Sequence, residues 1–112
     1  MSEGYSAAPL YVDAFDLCEW LLGRFGDDGR VLPRVLCEHA LALLGAITLA
    51  LKDRRREEQI EAADAYLIRL RTELRLAATL GYLSDAQLLH ALERAEVIGR
   101  QLGGWLRSLG PV

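Results

Sequence analysis

From Tyr11 onward, apolar residues return every three or four positions, the spacing of helices buried along one side. Tyr11, Phe15, Cys18, Leu22 and Phe25 form the first stripe, with Asp13, Asp16 and Glu19 on other faces, and predict a helix over about 10–25. Gly26-Asp27-Asp28-Gly29 is a turn cluster. Pro33 suits the first turn of a second helix, about 33–52, because the first amides of a helix have no acceptor within it and proline lacks one anyway. Nearly every position from Val35 to Leu51 is apolar, Leu43 and Ile47 included. A helix apolar all round needs cover on both sides, and in so small a chain the second cover is another subunit, so this stretch predicts a homo-oligomer.

The polar run Lys52 to Glu58 holds the next turn, although neither Gly nor Pro marks it. A third helix, about 56–81, carries the stripe Ala63, Leu67, Leu70, Leu74 and Ala77, and Gly81 is its stop. Ser84-Asp85-Ala86-Gln87 reads as a capping box opening a fourth helix over about 85–109. Its apolar side runs through Leu88, Leu92, Ala95, Ile98 or Gly99, Leu102, Trp105 and Leu109. Four helices, short connections and no alternating strand pattern predict an all-α fold, an antiparallel up-and-down four-helix bundle formed as one domain over residues 1–112.

Composition narrows the classes of function. The chain has 112 residues, 52% of them hydrophobic, which is enough for one core and too little for a second catalytic domain. Ala40 to Leu51, the longest apolar run, spans about 18 Å as a helix against about 30 Å of bilayer hydrocarbon, so no membrane span is expected. The first nine residues lack a leader pattern, and a cytoplasmic location is the expectation. Cys18 and Cys37 supply neither a disulfide framework nor metal-ligand spacing and are expected to be buried thiols. Cys37, Glu38 and His39 are consecutive, so on a helix they point about 100° apart and cannot converge on one atom. A di-iron bundle needs Glu three residues before His, whereas Leu36 precedes His39 and Gln87 precedes His90. No catalytic group, metal, cofactor or small-molecule substrate is therefore expected.

Charge directs attention to arginine. The net charge is −3, but residues 1–28 hold six acids against Arg24 alone, and every basic residue except Lys52 is Arg. Arg71 and Arg75, one helical turn apart, flank the apolar stripe of the third helix. They either pair with acids of their own chain or contact phosphate or an acidic partner. Arg54, Arg55 and Arg56 form a second candidate cluster for partner or nucleic-acid contact, diluted by Asp53, Glu57 and Glu58. Gly99, Gly103 and Gly104 sit in an otherwise good helix at about 1 kcal/mol each relative to Ala, a cost that close helix packing within or between subunits would justify. Trp105 beside them reads as a core or interface anchor.

Ala62-Ala63-Asp64-Ala65-Tyr66-Leu67, continuing through Leu70-Arg71 and Leu74-Arg75-Leu76, resembles the third helix of the accessory variability determinant (Avd) proteins of diversity-generating retroelements. The end of the chain is similar to their closing helix: Leu83-Ser84 with Gln87, then Glu96-Val97-Ile98-Gly99-Arg100-Gln101-Leu102-Gly103-Gly104-Trp105-Leu106. Bundles encoded by intervening sequences of ribosomal RNA genes share much of this pattern and stand as the alternative, a self-assembling bundle without a transcriptase partner. The Avd resemblance implies a non-enzymatic homopentameric barrel that binds the retroelement reverse transcriptase and its template RNA to support mutagenic cDNA synthesis. It also implies partner binding by the helix-three arginines, here Arg71 and Arg75. Avd proteins are commonly basic, and the acidity of this chain shifts weight from bare nucleic acid toward a protein partner.

Overall fold

The computed structural model describes residues 4–109. A 3-10 turn, Gly4–Ala7, leads into α1 (Pro9–Phe25), α2 (Val31–Leu51), α3 (Arg56–Thr79) and α4 (Asp85–Leu109). The four helices pack antiparallel, each mainly on its chain neighbours, with α1 closing onto α4. This is the all-α bundle that the periodicity predicts.

Local chemistry accounts for the helix ends. α3 stops in a Schellman motif: Gly81 takes φ 85°, its N–H donates to the Ala78 carbonyl (3.1 Å), and the Tyr82 N–H donates to Ala77 (2.8 Å). α4 opens with the capping box, the Ser84 N–H donating to Gln87 Oε1 (2.8 Å) and the Gln87 N–H to Ser84 Oγ (3.1 Å). α2 begins at Val31, two residues before the expected start, because Asp28 accepts the Arg30 N–H (3.0 Å) and holds Arg30 in an extended cap conformation. The unmarked α2–α3 turn is made by residues other than glycine, Asp53 (φ 58°) and Arg55 (φ 51°), in the left-handed region.

The core joins one stripe from each helix. On α3 it is the expected set, Ala63, Leu67, Leu70, Leu74 and Ala77, extended by Ile60. On α1 the buried stripe is Leu10, Ala14, Leu17, Cys18, Leu21 and Phe25, which is rotated from the expected one. The helix has two apolar stripes, and the one containing small Ala14 faces inward, while Phe15 stays 43% exposed and packs on Tyr11 (ring centroids 5.8 Å apart) at the surface.

Helix α2 is 21 residues long, and by length and composition alone it could cross a bilayer, which the shorter run from Ala40 to Leu51 could not. In the bundle its Leu36, Ala40, Leu43, Ala46, Ile47 and Ala50 are buried, while Val31, Leu41 and Leu49 stay exposed.

Candidate functional site

The α3/α4 surface is where the singled-out arginines and glycines come together. Arg71, half-buried on α3, reaches across so that Nη2 donates to the Ala95 carbonyl of α4 at 3.3 Å. That crossing depends on Gly99. A Cβ built at Gly99 would lie 2.6 Å from Arg71 Nη2 and 3.4 Å from Leu67 Cδ2, so any side chain would displace the guanidinium. Gly103 and Gly104 behave differently: a Cβ there would meet only Arg107 of their own helix, at 3.5 and 3.7 Å. Within the described chain, of these three glycines only Gly99 is closely approached by another helix.

Above Gly99 and Gly103 lies a groove of about 500 Å³. Asp64, Ile68 and Arg71 of α3 line one side, and Glu96, Arg100 and Arg107 of α4 the other. Glu96 and Arg100 form an exposed pair at 3.6 Å. Arg75 stands one turn beyond Arg71, exposed and outside the groove lining.

The cluster Arg54-Arg55-Arg56 is largely balanced by its neighbours. Arg55 pairs with Glu58 (2.7 Å) and Arg56 with Asp53 (3.2 Å), while Arg54 is exposed. The Arg56 guanidinium also sits 5.5 Å from the Trp105 ring, joining the α2–α3 turn to the end of α4 as a cation–π contact. Trp105 is partly buried against the core.

Leu43 (1% exposed) and Ile47 (0%) are enclosed by their own chain, which removes them from the outer surface. The outward side of α2 is carried instead by Leu41 and Leu49. Leu41 and Leu44 face Phe15, Cys18 and Leu22 across an apolar groove of about 500 Å³ between α1 and α2.

The adjacent trio Cys37, Glu38 and His39 diverges, as helical spacing requires. Cys37 points toward the Leu21 carbonyl of α1 (3.8 Å), Glu38 faces out, and His39 Nδ1 contacts Glu73 Oε2 of α3 at 2.8 Å. Cys18 is buried as expected, whereas Cys37 is only half-buried; desolvation pushes both thiols above the ordinary cysteine range, helped at Cys18 by the neighbouring Cys37 and at Cys37 by Asp28 and Glu38, which favours the protonated form. Among the described residues no group of three or more His, Cys, Asp or Glu side chains is placed to hold a metal ion.

The groove thus sets an anchored guanidinium among mixed charges on the flank of a four-helix bundle. A family model described as bAvd-like matches residues 21–109, and the chain belongs to that family. The bAvd-like proteins are the bacterial Avd proteins, non-catalytic accessory proteins of diversity-generating retroelements. No curated protein and no solved structure matches the chain.

Sequence reasoning found Arg71 and Gly99 separately, by helical spacing and by the cost of glycine in a helix. It did not single out Ile68, Arg100 and Arg107 as site residues, since their shared groove exists only once α3 and α4 lie side by side.

Proposed function

We propose that this protein is the accessory subunit of a diversity-generating retroelement, binding the reverse transcriptase and its template RNA during mutagenic cDNA synthesis. The observation that carries the proposal is the family match over residues 21–109. It favours the retroelement assignment over the intervening-sequence bundle. Arg71 supports it at the level of chemistry: its hydrogen bond goes to a neutral carbonyl, so its charge remains available to a partner.

The working form in this reading is a cytoplasmic homopentamer. The apolar α1/α2 groove and the exposed Leu41 and Leu49 offer the surface that one subunit presents to the next. Five copies would repeat each Arg71 and Arg75 around an axis, turning a modest patch into a multivalent one. Arg54 and Arg75, both exposed, are the secondary contacts in this reading.

Co-purification of the tagged protein with the reverse transcriptase encoded beside it, with the mass of the assembly measured in the same run, tests this reading. Capture of the transcriptase by a five-subunit assembly is expected. An uncomplexed monomer at micromolar concentration overturns it.

A further inference from the structure

The lining of the α3/α4 groove discriminates between kinds of partner. Three guanidinium groups, Arg71, Arg100 and Arg107, share it with two carboxylates, Asp64 and Glu96, on a chain whose net charge is −3. Glu96 is tied to Arg100 (3.6 Å), whereas Asp64 and Arg107 have no ion-pair partner among the described residues. Ile68 lies among these charges, 59% exposed. A polyanion such as RNA would meet a carboxylate on each wall, and its repeated phosphates have no use for an apolar side chain. A protein segment offering a carboxylate, a cation and an apolar side chain matches the lining in sign and in character.

Gly99 determines where the anchor of this groove stands. With no Cβ at Gly99, the Arg71 guanidinium lies against the α4 backbone and engages the Ala95 carbonyl through Nη2. The remaining donors of its planar fork have no hydrogen-bond partner among the described residues, which leaves the geometry that takes a carboxylate in two parallel hydrogen bonds.

We propose that the α3/α4 groove docks a carboxylate-bearing segment of a protein partner, with Arg71 as the anchor and Gly99 as the positioning residue that holds its guanidinium in place. The inference rests on the proposed association with the reverse transcriptase and specifies how that association is made. The atom that a new Cβ would strike at Gly99 is the tip of a flexible side chain, so Gly99→Ala is expected to move the guanidinium while leaving the bundle folded.

The test compares unaltered protein with Gly99→Ala, Arg71→Ala, Arg71→Lys and the Gly99→Ala, Arg71→Ala double variant. Each is measured for transcriptase capture, for binding of a labelled single-stranded RNA oligonucleotide from the template, and for thermal unfolding. The proposal expects each single variant to weaken capture by about tenfold or more, as truncating one partner of a desolvated charge pair does. The double variant should lose no more than Arg71→Ala alone, because a residue acting through Arg71 has nothing left to act on. RNA binding and unfolding should stay unchanged, and Arg71→Lys, which keeps the charge but not the fork, should not restore capture.

Capture that persists in the Arg71 and Gly99 variants overturns the inference alone. Loss of RNA binding in those variants overturns the choice of a protein occupant, and additive losses overturn the positioning role of Gly99. If the unaltered protein captures no transcriptase, the functional reading fails and the inference fails with it.

Discussion

Arg71 and Gly99, 28 positions apart in the chain, meet where α3 crosses α4: the guanidinium of one occupies the space that a side chain on the other would fill. The contact explains why a glycine sits inside a good helix at this point. It also separates Gly99 from Gly103 and Gly104, which among the described residues no other helix approaches closely.

That separation predicts different responses to alanine. Gly103→Ala and Gly45→Ala add a Cβ to a helix interior, with only the flexible end of Arg107 (3.5 Å) near the first and nothing within 4 Å of the second. Each should stabilise the isolated bundle by up to about 1 kcal/mol through helix propensity. Chemical denaturation under conditions that keep the chain monomeric checks this. If Gly103 also packs against a neighbouring subunit, Gly103→Ala will lower the assembly mass while raising the stability of the monomer.

The turn before α3 holds Arg55 at φ 51°, where a side chain crowds its own carbonyl. Arg55→Gly relieves about 1 kcal/mol of that strain and loses an exposed pair with Glu58 worth little. A small rise in the denaturation midpoint is expected. A fall would show that the guanidinium contributes more than its surface geometry implies.

Acid should loosen the end of the bundle where the α1–α2 and α3–α4 turns meet. The side-chain hydrogen bonds of Arg30, helped by its backbone N–H, hold Asp28 down at about 2, below its ordinary value of 3.8, and Arg30 in turn lies 4.1 Å from the Tyr82 ring. A depressed carboxyl pKa contributes stability that is present above 3.8 and lost as pH falls through about 2. Asp28→Asn should therefore melt below the unaltered protein at neutral pH, with the gap closing over that acid range. A gap that stays constant down to pH 2 would contradict the pairing.

The apolar α1/α2 groove makes Leu41, 51% exposed, the residue whose charge should matter most to assembly. Leu41→Glu should leave helical content intact and reduce the assembly mass, because a carboxylate buried between subunits is costly without a partner. The same change at Leu43, which is enclosed, would instead unfold the chain, because it places a carboxylate without a partner inside the core. Light scattering beside circular dichroism distinguishes the two. An unchanged mass for Leu41→Glu would move the subunit contact elsewhere.

Much of the fold was readable because local signals agreed. α3 has a single apolar stripe set among charged residues, and its buried set matches the stripe read from spacing. The Schellman stop at Gly81 and the Ser84–Gln87 box were equally plain, since each depends only on residues a turn apart. On α1 the stripe of Tyr11, Phe15 and Leu22 competes with that of Leu10, Ala14, Leu17 and Leu21, and only the neighbouring helices decide which side faces inward. The turn at Asp53 to Arg55 was unmarked because residues without glycine's freedom adopt the left-handed conformation there. The site was half-visible for a related reason. Helical spacing raised Arg71 and Arg75 together, but it took the position of α4 to show that Arg71 lies in the groove over Gly99 while Arg75 stays outside it.

The most direct test of the account is cDNA synthesis by the reverse transcriptase encoded beside this chain, on its own template RNA, with and without the purified protein. The account predicts that cDNA appears in quantity only when the protein is present and falls when Arg71→Ala is used instead at equal assembly mass. Equal cDNA yield with and without the protein would contradict an accessory role in this reaction.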